Sequence, residues 1–318
     1  MASSSKPIEI LFKHVDGIDI YMDVYLSPSS SQQSPAPILL WWHGGGLLQG
    51  TRKGVSPHHL RAPASHGVTF ISADYRLAPQ FRLPTILSDC ADAVKFLHTQ
   101  QFQKATEGRA DASRVILSGS SAGGWLSLLC GYRIGFDEIG VPKPPSVQGV
   151  VPIYPITDLE DPFWTTTQRP VKYMDRVIAR EEVQPFLNPD EPTSRIASSA
   201  LDSPRAIFYS FMVQEALLAD LLLSGTEIPP SAFSIAGSLK TRKLDCPPTY
   251  IVHGDQDLKV PVKQSRDVVQ ALEELKQKGN ADCEYEYEEL PGLDHLFDRE
   301  PKSQMEKMYA FIVRVSSR

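Results

Sequence analysis

"RVILSGSSAGGWLSLLCGY" (114–132) is the stretch on which the fold turns. It opens as a short apolar strand and closes as an apolar helix, with "GSSAG" (119–123) between them. A G-x-S-x-G set in a strand–turn–helix context is a sharp turn that lifts the central serine above the end of a sheet. Working outward, "ILLWWH" (38–43) and "GVTFISADYR" (67–76) read as fully buried strands. "VQGVVPIYP" (147–155), "PTYIVHGDQD" (248–257) and "CEYEYEELPG" (283–292) add three more. Apolar spacing at Ile86, Cys90, Ala93, Val94 and Leu97 predicts a helix over 85–98, and another spans 263–278 up to Gly279. A last helix is expected from about Lys302, and an opening hairpin around Asp16-Gly17. Strands alternating with helices imply an α/β protein: a mostly parallel twisted sheet with helices on both faces.

The segment 158–245 breaks that rhythm, with helical pieces and no strong strand. It reads as a helical cap inserted into a core formed by 1–157 and 246–318. Its clearest helix starts at Ser203-Pro204, a favourable N-cap and N1 pair, and runs to about Gly225. Ile207, Phe208, Phe211, Met212, Leu218, Leu221 and Leu222 form a broad apolar stripe along it. That stripe either faces a hydrophobic substrate or packs on the core.

The 318 residues are 42% hydrophobic and 22% charged, with a net charge of −6. Such a balance offers no general basic surface for nucleic acid or anionic lipid, so small molecules or proteins are the expected partners. The most apolar long segment, 204–223, contains Arg205, Gln214, Glu215 and Asp220, which argues against a membrane span. "MASSSKPIEILFKH" lacks the apolar core of a secretory signal. Cys90, Cys130, Cys246 and Cys283 are scattered without a CxxC pair and read as free thiols rather than a zinc site. A cytoplasmic protein follows, and a homodimer is compatible with it.

A serine hydroxyl needs a base at neutral pH, and the base needs an orienting acid. Ser121 is the candidate nucleophile, with the Ala122 N–H beside it at the start of a helix. "HGDQDLKVP" (253–261) and "PGLDHLF" (291–297) each follow a strand, at the same sheet edge as Ser121. His295 is the candidate base. His14, His58, His59, His66 and His98 read as loop or helix-surface residues, and His253 as structural. Asp257, Asp255 and Asp294 compete as the acid, although Asp294 adjoins His295 and should point away. "HGGG" (43–46) follows the strand "ILLWW", where Gly45 and Gly46 can aim N–H groups at a developing oxyanion, with Ala122 as a third donor. Bulky side chains at Gly45 or Gly46 are expected to cut kcat more than they weaken folding. Neither glycine-rich phosphate motif is present, and no cofactor or metal is called for.

"HGGG" (43–46), "DYRLAPQFRLPTILSDCADAVKFL" (74–97), "GSSAGG" (119–124) and "DHLF" (294–297) together resemble the hormone-sensitive-lipase branch of the α/β-hydrolases, with its microbial family IV esterases and plant carboxylesterases. The resemblance implies an α/β-hydrolase fold and cofactor-free hydrolysis of carboxylic esters. It places triad and oxyanion roles on Ser121, Asp257, His295, Gly45, Gly46 and Ala122. The G-x-x-D-x-x-V-P form of 254–261, similar to dienelactone-hydrolase-like enzymes, is what favours Asp257 over Asp255. Two departures stand out: Ser120 occupies a position where the family usually has aspartate, and strands begin almost at once where relatives build cap helices. The expected activity is that of a serine carboxylic-ester hydrolase on a hydrophobic small-molecule ester. An acyltransferase or thioesterase releasing a polyketide-like acyl group shares the same motifs. A non-catalytic small-molecule receptor is the reading from another class.

Overall fold

Strand β3, Ala36–Trp42, sends Ile38, Leu40 and Trp42 into one apolar cluster and Leu39 and Trp41 into another. Strand β5, Ala110–Ser120, repeats the alternation with Val115 and Leu117 on the first face and Ile116 on the second. A period of two on strands that are apolar on both sides is what a sheet covered on both faces requires. The computed structural model describes residues 6–278 and 283–318; the helix stop expected at Gly279 lies outside them.

Six further strands complete one sheet: β1 Ile8–Val15, β2 Ile18–Tyr25, β4 Thr69–Ala73, β6 Gly149–Ile153, β7 Thr249–Gly254 and β8 Tyr285–Leu290. Their order is β1-β2-β4-β3-β5-β6-β7-β8. The β1–β2 hairpin turns at Asp16 (φ 53°) and Gly17 (φ 74°), as expected, and β2 runs antiparallel to β4. Every pairing from β4 through β8 is parallel. Their carboxyl ends therefore share one edge. Helices Leu83–Phe96, Ala122–Tyr132 and Lys263–Gln277 cover one face through Ile86, Trp125 and Val268. Helices Pro57–His66 and Glu306–Ser316 cover the other through Ala62, Met308 and Phe311.

Several expectations need correction. The helix foreseen from Pro204 to Gly225 is a 3-10 turn, Pro204–Ile207, followed by helices Phe208–Gln214 and Leu218–Leu223. Ala216 sits at φ 56°, with Ala216 N–H donating to the Val213 carbonyl and Leu217 N–H to that of Met212. This is a Schellman stop built on alanine, so the glycine that usually marks it in sequence is missing. Ser203 is the N-cap of that turn, as expected, but its hydroxyl lies 2.9 Å from that of Ser199 and makes no capping hydrogen bond to the backbone. The stripe on these helices is core: Phe208, Phe211, Met212, Leu218, Leu221 and Leu222 all join the larger cluster.

The last helix begins at Glu306, not near Lys302. The chain before it is held by Arg61, whose guanidinium donates to the carbonyls of Pro301 and Ser303. Cys90 and Cys130 are free and buried, whereas Cys246 and Cys283 form a disulfide with Cα atoms 5.1 Å apart. Strands β7 and β8 pair Thr249 with Tyr285, so the segments leading into them run side by side. Cysteine spacing alone carries no trace of that register.

Helix Ala122–Tyr132 reaches its position through close backbone approach. A Cβ on Gly123 would lie 2.1 Å from the Trp42 carbonyl oxygen and 2.6 Å from that of His43. Both are backbone atoms at the end of β3 and cannot rotate away. The Gly123→Ala variant is expected to lose about 1–3 kcal/mol through overpacking, read as a lower urea midpoint at unchanged m.

Candidate active site

Ser121 is the N-cap of helix Ala122–Tyr132, at φ 58° and ψ −121°. A serine in that region is strained and persists only where its surroundings dictate it. The Ser121 N–H donates to the Ile153 carbonyl at 2.8 Å, which ties the turn to the end of β6. Ser120, where relatives carry an acid, accepts the Trp41 indole N–H at 3.1 Å inside the core.

His295 follows β8 and Asp257 follows β7. The imidazole Nδ1 of His295 lies 2.6 Å from Asp257 Oδ2. Asp257 Oδ1 accepts the backbone N–H groups of Lys259 and Val260, each at 2.8 Å. His253 closes the carboxylate from behind. Its Nε2 is 3.2 Å from Asp257 Oδ2 and 3.0 Å from the Val260 carbonyl, while its Nδ1 lies 2.7 Å from the Ser265 hydroxyl. Burial alone would raise the pKa of Asp257, but donation from His253, His295 and Val260 holds it well below the usual carboxylate range. Asp257 therefore stays ionised against His295. The competing acids serve the loops: Asp294 accepts from Leu258 N–H and His295 N–H, and Asp255 accepts from Gly292 N–H.

Ser121 and His295 line one cavity of about 280 Å³, together with His43, Gly44, Gly45 and Tyr209. Asp257 lies behind His295, and Gly46 and Ala122 lie off the cavity wall. The N–H groups of Gly45, Gly46 and Ala122 donate to no acceptor among the described residues. Gly45 sits at φ 99°, and a Cβ there would come within 2.3 Å of the Gln49 carbonyl oxygen. One on Gly46 (φ 66°) would meet the Tyr209 ring at 2.8 Å. A side chain at either position would therefore strain the loop itself, beside any effect on the cavity. Gly44 was not singled out from sequence, yet a Cβ there would touch Ser121 Cβ at 2.9 Å.

The remaining histidines divide unevenly. His14 and His98 are exposed. His58 and His59 are buried, against expectation, because helix Pro57–His66 packs its first turn onto the sheet. The His59 ring stacks on Phe70 with centroids 4.8 Å apart. The His58 Nδ1 lies 2.8 Å from the Tyr309 hydroxyl and its Nε2 3.5 Å from buried Asp298. Asp298 also accepts from Ser56 at 2.7 Å and from the Tyr154 hydroxyl. Tyr154 packs its ring, tilted by 51°, with its centroid 4.3 Å from that of His295, so a buried polar network backs the imidazole. Nothing in the spacing of these residues pointed to it.

Among the described residues no cluster of three or more His, Cys, Asp or Glu side chains is arranged to hold a metal ion, and no helix is long and apolar enough to cross a membrane.

A parallel sheet that presents a strained serine, a histidine–aspartate pair and glycine N–H groups at one edge defines an α/β-hydrolase. Residues 39–200 match the alpha/beta hydrolase fold family, and the chain belongs to it. It is 28% identical over 310 residues to the non-reducing polyketide synthase Preu6 of Preussia isomera, covering 90% of this chain and 13% of that protein. The chain thus spans about an eighth of that relative's length. Esterase LipC of Mycobacterium tuberculosis is 25% identical over 268 residues, covering 83% of this chain and 54% of LipC. In fold it is similar to an alpha/beta hydrolase superfamily protein from Enterococcus faecalis, with a TM-score of 0.67, 22% identity, and 94% and 96% of the two chains covered. The family match and the shared architecture make this chain an α/β-hydrolase by fold.

One consequence concerns pH. His43 is fully buried, stacks on Tyr75 at 4.2 Å and donates from Nδ1 to the Gly44 carbonyl at 2.9 Å. Burial lowers its pKa from 6.5 to about 4. Between those values the unfolded chain binds the proton and the folded chain does not, so stability falls as pH falls through the window. The loss from this residue is on the order of 3 kcal/mol. Urea midpoints at pH 7 and pH 4.5 should differ clearly in the wild type and by less in His43→Asn.

Proposed function

We propose that the chain is a serine carboxylic-ester hydrolase working through an acyl-enzyme on Ser121. The observation that carries this reading is the 2.6 Å contact between His295 Nδ1 and ionised Asp257, with His295 on the same cavity wall as Ser121. The Ser121 hydroxyl attacks the ester carbonyl and passes its proton to His295. Gly45, Gly46 and Ala122 offer N–H groups to the oxyanion, each worth about 3–4 kcal/mol in comparable enzymes. His295 then gives the proton to the departing alcohol, and water, deprotonated by the same imidazole, releases the acid. Asp257 holds the imidazole tautomer throughout.

The cap reading of 158–245 is supported by Leu201 and Tyr209, which come from that segment and line the cavity. Tyr209 also donates its hydroxyl to the Lys259 carbonyl at 2.7 Å, joining the cap to the loop that bears Asp257. The similarity to a polyketide synthase over 90% of this chain favours one second reading, in which the acyl group arrives as a carrier-bound thioester and is released here. Both readings use the same three residues.

Fluorophosphonate labelling followed by intact-mass analysis tests the nucleophile: one adduct on the wild type, none on Ser121→Ala. Labelling that survives the substitution overturns the assignment. Asp257→Asn should lower kcat on 4-nitrophenyl acetate by up to about 10⁴-fold, as for other triads, and Asp255→Asn by far less. A larger loss for Asp255→Asn would transfer the role. A chain that neither labels nor turns over would support a receptor instead.

A further inference from the structure

The protein as a whole is acidic, with 38 Asp and Glu against 32 Lys and Arg. The wall of the cavity beside Ser121 has the opposite sign. It carries Lys259 and Arg299 and neither aspartate nor glutamate. Elsewhere in the fold, cations drawn inward are neutralised. Arg52 meets Asp23 and Asp74, and Arg76 meets Asp16 and Asp89. Arg205, buried without a carboxylate, is satisfied by the carbonyls of Leu48 and Ala78 and the Gln80 side chain.

The two cavity cations are treated differently. Arg299 donates to the Gly54 carbonyl at 3.0 Å, which uses one of five guanidinium N–H groups. Lys259 stacks its ammonium 4.0 Å from the Tyr173 ring centroid. Neither forms an ion pair with a carboxylate among the described residues. Both are half-buried, and burial lowers the pKa of Lys259 against the opposing pull of Asp294 and Asp257, neither of which pairs with it directly. Their places in the chain matter as well. Lys259 is two residues past Asp257, and Arg299 is four past His295, in the turn Phe297–Arg299. Both side chains thereby start from the loops that carry the reacting groups.

We propose that the ester substrate carries a carboxylate, held by Arg299 and Lys259 while its carbonyl meets Ser121. This rests on the hydrolase reading of the same site. Two single positive charges suit a carboxylate. Phosphate sites add a nest of backbone N–H groups, and the free N–H groups near this cavity stand around Ser121. The volume of about 280 Å³ lies at the small end for ligand sites, so the acid is compact. Selection by charge complementarity follows: the anion gains charge-assisted hydrogen bonds that a neutral isostere cannot make.

The test compares kcat/KM for two matched pairs: 4-acetoxybenzoate against 4-acetoxybenzamide, and phenyl hydrogen succinate against phenyl succinamate. The anion should be preferred about tenfold in at least one pair, the size of a net charged hydrogen bond. The preference should shrink as salt is raised. In Arg299→Gln and Lys259→Gln the ratio should move toward unity, and Arg299→Lys should recover part of it. Equal turnover of both members of both pairs overturns the proposal, as does a preference that survives both glutamine variants. Tighter competitive inhibition by phenyl phosphate than by benzoate would overturn the choice of carboxylate. If all four esters are inert and no fluorophosphonate adduct forms, the hydrolase reading fails by itself. Calorimetric binding of benzoate and benzamide to wild type and Arg299→Gln then decides the anion site: a tenfold advantage for benzoate, lost in the variant, supports it, and equal binding removes it.

Discussion

Helix Ala122–Tyr132 can approach the sheet only because nothing projects from Gly119 or Gly123. A Cβ on Gly119 would lie 2.1 Å from the Gly123 carbonyl oxygen, as one on Gly123 would from that of Trp42. Contact between bare backbones brings the end of β3, the end of β5 and the first helical turn into one volume. Ser121 sits at its apex and takes up the positive φ that the sharp reversal imposes. The Gly44–Gly46 loop is then pressed against it, with free N–H groups beside the serine, where the helix dipole also favours negative charge. Loosening this contact would displace the serine and its electrostatic surroundings together.

Burial governs the charged groups around that apex. Asp257 is removed from water but enclosed by donors, so it keeps its charge, while for His43 burial outweighs its surroundings, with Asp74 no nearer than 4.0 Å to its Nε2, and lowers its pKa. Asp298 repeats the first pattern beneath Tyr154: burial opposes its ionisation, and His58, Tyr154 and Ser56 more than offset that opposition. The imidazole of His295 thus has an ionised carboxylate on its edge and a hydrogen-bonded tyrosine against its face. Polar networks of this sort stay ordered only when their members are satisfied.

Features legible from sequence were those with a local signature. G-x-S-x-G between strand and helix, alternating apolar runs and the Asp16-Gly17 turn all map onto the elements expected of them. His295 could be named because it follows a strand, whereas Asp257 was preferred over Asp255 only through the resemblance carried by 254–261; Asp257 is the carboxylate that lies 2.6 Å from His295. Long-range closures left no mark. The Cys246–Cys283 disulfide depends on the β7–β8 register, and the Asp298 network joins residues more than 200 positions apart in the chain. The alanine at the Schellman stop and the inward face of His58 and His59 were decided by packing, which overrides local preference.

Asp257 and His295 stand just beyond neighbouring parallel strands, with Gly254 paired to Leu290 at the point where both leave the sheet. Their separation is thus a property of sheet geometry, spanned by adjacent hydrogen-bonded strands and braced where those strands begin by Cys246–Cys283. The segment 158–245 enters the chain before β7 and meets this pair through the Tyr209 hydroxyl, which donates to the Lys259 carbonyl. Changing side chains on that segment would alter the cavity wall at Leu201 and Tyr209 while leaving in place the strand pairing that spaces Asp257 and His295.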